Sequence, residues 1–105
     1  LMKLFLTLFL GVFLLAPCGD RNQSPAVEQP VNAADLYLTR CAGCHGTDGN
    51  LQLSGAKALS ASTLKKEEVV SQIKIGKGNM PPFEGRLTEK EFDALADYVL
   101  TFRAK

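Results

Sequence analysis

The sequence predicts one small all-α domain, on three observations. The chain has 105 residues, enough for a single domain and no more. Strand-like alternation of apolar and polar residues is absent. Three segments between residues 32 and 105 combine helix-start chemistry with apolar residues at helical spacing. Long loops over residues 46–62 and 76–87 connect them.

In the first helix Asn32 is placed to cap the N-terminus, Asp35 lies in the favourable first turn, and Val31 and Leu36 stand at the positions of a hydrophobic staple. This helix runs into a pair of cysteines. The second is expected to start at Thr63 and continue to about Ile75, with Val69, Val70 and Ile73 inward and Gly76 as its stop; Lys65 and Lys66 sit at the unfavourable end of its dipole. The third has the strongest start. Thr88 and Glu91 form a capping box, Leu87 and Phe92 a staple, and Phe92, Leu95, Ala96, Val99 and Phe102 keep the helical rhythm to about Arg103.

Before these helices, residues 4–16 are almost wholly apolar behind the single basic Lys3. Such a run, shorter than the roughly 20 residues of a membrane-spanning helix, reads as a secretory signal over residues 1–17. The protein is therefore expected to be exported, to the periplasm or the periplasmic face of a membrane. Leu14-Leu15-Ala16-Pro17-Cys18 looks like a bacterial lipoprotein signal, in which cleavage before Cys18 is coupled to its acylation; Pro17 departs from the small residue expected there. Residues 18–31 are polar, contain two prolines and read as a flexible tether, leaving residues 32–105 as the folded domain. The 13 residues from Gly19 to Val31 would span about 20 Å as a flexible chain.

Loss of the signal removes Lys3 and no acid, so eleven basic groups balance eleven acidic ones. No overall field points to nucleic acid. A domain this small is marginal without a disulfide, metal or cofactor to staple it.

Residues 41–45 read Cys-Ala-Gly-Cys-His, the C-x-x-C-H pattern of covalent haem attachment. Two thiols one helical turn apart can add to the two vinyl groups on one porphyrin edge, and the next residue brings an imidazole to the iron. The competing readings are poorer. A thioredoxin-like dithiol belongs beside a βαβ pattern, a zinc site lacks its fourth ligand, and a disulfide across two residues would be strained and would leave His45 idle. Haem c, with iron held by His45 and thioether bonds from Cys41 and Cys44, is the expected cofactor.

The second axial position follows by subtraction. His45 is the only histidine, and Met80 is the only methionine left once Met2 departs with the signal. Met80 lies in Gly76-Lys77-Gly78-Asn79-Met80-Pro81-Pro82-Phe83, where glycines permit close approach of backbone to a flat ligand and Pro81 holds Met80 extended. His/Met is a standard haem pair. Met80 as core filler is the alternative.

With these residues in place, the sequence resembles the class I c-type cytochromes in their small bacterial single-haem form. The resemblance covers residues 32–105 and rests on Ala34, Leu36 and Tyr37, on Cys41-Ala42-Gly43-Cys44-His45-Gly46 followed by Asp48-Gly49, on Leu59, on Ile73 and Gly76, on Met80-Pro81, and on Tyr98. It implies a small cytochrome c fold, three main helices with long loops around the haem, in which the first and last helices cross and Leu36, Tyr37, Leu95, Tyr98 and Val99 touch. Family members often carry a proline two residues before the loop leucine, whose carbonyl receives the Nδ1 proton of the axial histidine. Lys57 stands there in this chain, still offering a carbonyl.

With both axial positions filled, the expected activity is one-electron outer-sphere transfer, and the protein is expected to be a carrier rather than an enzyme. Expected partners are a redox protein donor and acceptor, membrane-bound respiratory complexes among them, with the membrane reached through a lipid anchor on Cys18 and no nucleic acid. A gas-binding sensor in which Met80 dissociates, a redox dithiol enzyme and a subunit docked to a larger oxidoreductase remain open at this point. Basic residues between 57 and 86 oppose acidic ones at 89–97, and Lys74 and Lys77, flanking the Met80 loop, are the candidates for a partner's acidic rim.

Overall fold

The structure, a computed structural model, describes residues 27–104. The signal segment, Cys18 and the first part of the tether lie outside the described residues.

Helix α1 spans Ala33–Arg40, and Asn32 caps it as expected: its Oδ1 accepts from the Asp35 amide at 3.1 Å while its side-chain amide donates to the Asp35 carboxylate at 2.6 Å. The chain breaks at Cys41, where φ is −120°, although the Cys41 amide still bonds Tyr37. It resumes as the one-turn α2, Ala42–His45. Helix α3 spans Lys66–Ile75 and α4 Glu89–Leu100, the latter tightening into a 3₁₀ turn over Thr101–Ala104. Among the described residues there is no strand, only an isolated antiparallel bridge between Lys77 and Met80. Among the described residues the all-α architecture, helices joined by long loops, is the one expected.

Two local expectations change. Thr63 does not cap α3; Lys65 is the flanking residue, and its amide donates to the Glu68 carboxylate at 2.7 Å. With Glu67 and Glu68 in the first turn, the carboxylates supply the negative charge that the two lysines lack. The 46–62 loop is not irregular throughout, because Leu53–Gly55 and Leu59–Ala61 form 3₁₀ turns.

Helix α4 is the hub. Its buried face (Phe92, Leu95, Ala96, Val99) meets Tyr37 of α1 and Val69 and Ile73 of α3, with Phe83 and Phe102 completing the core. Burying each large apolar side chain is worth about 1.5–3 kcal/mol. The α1–α4 crossing is aromatic: Tyr37 lies 5.3 Å from Tyr98 and 5.1 Å from Phe102, ring centre to ring centre. Leu36 packs against this core as well. On the other side, Lys66 bridges Asp93 and Asp97 at 2.8 and 2.9 Å. Lys74 pairs with Glu89 at 2.7 Å and lies over the Phe92 ring. These solvent-facing pairs set the α3–α4 register more than they stabilise it.

Upstream of α1, Glu28 pairs with Lys90, and Gln29, Pro30 and Val31 line a cleft with Leu36, Thr39 and Glu91. Among the described residues no helix is long and apolar enough to cross a membrane.

Candidate functional site

The break at Cys41 positions the motif. Because α2 continues helically after it, with the His45 amide bonded to the Cys41 carbonyl at 3.0 Å, Cys41 and Cys44 fall one turn apart on a common face. Both are free thiols, Cys41 half-buried and Cys44 exposed. Burial pushes the Cys41 thiol up to about 11, the opposite of what a dithiol enzyme's nucleophile requires.

His45 is oriented from behind. Its Nδ1 donates to the Lys57 carbonyl oxygen at 3.0 Å, since a carbonyl can only accept, and this bond fixes the plane of the ring. The loop that delivers this carbonyl is built for the purpose. Gly46, at φ +79°, turns the chain away from α2, and a Cβ there would come within 2.8 Å of the Leu51 Cβ. The Asn50 amide then bonds the Asp48 carboxylate at 2.9 Å, Ser60 donates to the Asn50 side chain at 2.6 Å, and the Leu59 amide reaches the Gly49 carbonyl at 2.8 Å. Tyr37, fully buried, ties this turn to the helix crossing by donating its hydroxyl to the Gly46 carbonyl at 2.7 Å. Burial, with contributions from Cys41, Tyr98 and Asp48, raises the Tyr37 hydroxyl to about 12.

Met80 is presented by a tight hairpin. The amides of Lys77 and Met80 bond each other's carbonyls at 3.1 and 3.0 Å, with Gly78 at φ +58° as the first residue of the two-residue turn. The turn's base is fixed to α3, since the Gly76 amide bonds Gln72, and those of Phe83 and Glu84 bond the Ile73 and Lys74 carbonyls. These contacts satisfy carbonyls that the end of a helix leaves open. At Gly76, φ +73°, a Cβ would lie 2.5 Å from the Met80 carbonyl oxygen. Met80 itself is half-buried and packs on the core edge. The tip of the turn meets the 46–62 loop through Asn79, whose side-chain amide donates to the Ser54 carbonyl at 3.0 Å.

The donor set fits a haem. Two soft thiols, one imidazole and one thioether suit a metal that brings a macrocycle of its own. Among the described residues, no cluster of three or more His, Cys, Asp and Glu side chains is placed to hold a bare metal ion. Leu51, Leu53, Leu64 and Ile75, on the loops and the end of α3, stay outside the protein's own core.

Of the two candidate docking lysines, Lys77 is exposed and forms no ion pair among the described residues, whereas Lys74 is paired with Glu89 and lies over Phe92. Sequence reasoning cast Tyr37 only as a helix contact and did not find Asn79 or the left-handed Gln52 and Ser54. No local signal marks the last three, because their partners are set by tertiary structure.

Comparison with known proteins gives a consistent picture. The family described as cytochrome c oxidase, cbb3-type, subunit III, matches residues 28–99. Cytochrome c6 of Nostoc sp. (strain PCC 7120) is 33% identical over 105 residues, covering 93% of this chain and 91% of that protein. Cytochrome c6 of Euglena gracilis is 38% identical over 76 residues, covering 65% and 86%. Among solved structures, the KustC0563 c-type cytochrome is 32% identical with a TM-score of 0.64, covering 70% of this chain and 99% of that one.

Proposed function

The chain belongs to the small c-type cytochromes, haem-binding electron carriers whose haem c is covalently attached, and from that premise we propose that it carries single electrons through a six-coordinate haem ligated by His45 and Met80. Bound haem supplies the one-electron iron couple. The chain's residues do the rest. Cys41 and Cys44 would hold the group by thioether bonds, His45 would offer its Nε2 to the iron, and the Lys77–Met80 turn would offer it the Met80 thioether. Met80 sulfur favours the ferrous state relative to nitrogen ligation. With both axial positions taken by side chains there is no open site for a substrate, which makes the protein a carrier rather than a catalyst.

The observation that carries this reading is the His45 ring, with Nδ1 engaged by the Lys57 carbonyl and Nε2 left available. We assign export to residues 1–17 and acylation to Cys18, so that residues 18–31 tether the domain to a membrane and let it reach redox donors and acceptors there, membrane-bound respiratory complexes included. Lys77, with the likewise exposed Lys57, Lys65 and Arg86, offers an acidic partner its positive contacts. Nothing in the balanced charge suits nucleic acid.

The test is potentiometry on full-length protein made in a haem-attaching host. The reading expects a reversible one-electron titration and haem that survives acid extraction, the latter lost in the Cys41→Ala, Cys44→Ala variant. Haem that extracts freely from the native protein would overturn it. Intact mass measurement addresses the anchor: a diacylated or triacylated N-terminal Cys18 supports it, and an unmodified mature N-terminus refutes it.

A further inference from the structure

We propose that Asn79 is a positioning residue for Met80, latching the sulfur-bearing turn to the opposite loop and setting how often the thioether leaves the iron. The inference rests on the reading of Met80 as axial ligand.

The turn is held asymmetrically. Every backbone bond at its base goes to α3: Gly76 to Gln72, Phe83 to Ile73 and Glu84 to Lys74. Its own two bonds, between Lys77 and Met80, are internal and would survive a rigid swing of the tip. Among the described residues, the Asn79 to Ser54 bond is the one hydrogen bond that joins residues 76–87 to the 46–62 loop. Asn79 immediately precedes Met80 in a two-residue turn, so movement of one carries the other. The latch therefore acts on the position of the sulfur rather than on the helical core.

The receiving side is unusual as well. Gln52 and Ser54 both adopt left-handed backbone, φ +56° and +53°, although neither is glycine, and Gly55 follows at +81°. Such conformations persist in side-chain-bearing residues only where surrounding contacts hold them. The turn they make points the Ser54 carbonyl at Asn79. A segment held against its own preference, ending on a single contact to the ligand turn, is a clasp whose release would leave Met80 supported from one side only.

Loss of one neutral hydrogen bond corresponds to about a twofold to tenfold rise in the population of an open state. An added imidazole reports that population, since it binds ferric iron only when the Met80 sulfur has left. In that exchange the iron–sulfur bond breaks, an iron–nitrogen bond forms, and no electron is transferred.

The experiment titrates imidazole into full-length ferric holoprotein, alongside Asn79→Ala and the nearly isosteric Asn79→Asp, which cannot donate as a carboxylate. Both variants should bind imidazole about twofold to tenfold more tightly while keeping the sulfur-to-iron charge-transfer band before ligand is added. In a Met80→Ala background the same substitutions should leave imidazole affinity unchanged, because there is no sulfur left to position. Wild-type affinity in both variants overturns the latch. So does equal tightening in the Met80→Ala background, the signature of a general loosening. Failure of the underlying reading looks different: the unmodified protein would lack the band and bind imidazole as readily as Met80→Ala.

Discussion

The Nδ1 atom of His45 donates to the carbonyl oxygen of Lys57 at 3.0 Å, twelve residues along the chain. What the histidine requires there is the carbonyl and the path of the backbone, and Lys57 provides both. Ala56 already has φ −57° and ψ 137°, the extended conformation that a following proline demands. Lys57→Pro should therefore fold, preserve the haem spectrum and stabilise the protein by about 0.4–1 kcal/mol through the unfolded state. Urea unfolding followed in the haem absorbance checks it; a lost spectrum would mean that the Lys57 amide is needed.

Tyr37 joins the helix crossing to the turn after the haem motif. Replacing it by Phe keeps the ring packing and removes one buried hydrogen bond, at an expected cost of about 1 kcal/mol. Its hydroxyl, raised from an ordinary 10 to about 12 by burial, also gives a pH signature. The raised value means that the unfolded chain loses this proton first. The contribution is complete below pH 10 and drains away as pH rises from 10 towards 12. Stability measured across that window should fall less steeply in Tyr37→Phe than in the native protein.

Gly76 and Gly78 separate two kinds of glycine requirement. Both have positive φ, yet a Cβ at Gly78 meets nothing within 4 Å, whereas at Gly76 it would lie 2.5 Å from the Met80 carbonyl oxygen and 2.8 Å from Pro81 and Pro82 backbone atoms. Gly78→Ala should cost about 1–2 kcal/mol, the left-handed penalty alone. Gly76→Ala should cost clearly more and displace Met80, so the sulfur-to-iron band is lost only in that variant. Ferric near-infrared spectra of the pair decide the matter.

The capping box of α4 predicts acid sensitivity. Hydrogen bonds from the Thr88 amide and hydroxyl hold the Glu91 carboxyl below its ordinary value. Its contribution is thus present above about pH 4.5 and disappears as pH falls through the lowered folded value. Glu91→Gln should flatten this part of the acid unfolding curve, and Thr88→Ala should cost about 1 kcal/mol at neutral pH.

Where a feature depended on residues three or four apart, the sequence displayed it. Asn32 with Asp35, Thr88 with Glu91, and the spacing of Cys41, Cys44 and His45 are all of this kind, and the core face of α4 follows from its periodicity. The start of α3 differs from the expectation because Thr63, a good capping residue by type, lies short of it, while the group that satisfies the Lys65 amide is Glu68, reaching backward. The pairing of Lys74 with Glu89, fifteen positions away, is a contact that no local pattern displays. The Asn79 to Ser54 bond spans 25 residues and joins two loops with no periodicity. Only the assembled fold makes such a contact visible.

The most direct test of His45/Met80 ligation is the ferric near-infrared spectrum of the full-length holoprotein, recorded beside that of Met80→Ala. The account predicts the weak sulfur-to-iron charge-transfer band in the native protein and its disappearance in the variant. A band that persists in Met80→Ala, or that is missing from the native protein, would contradict it.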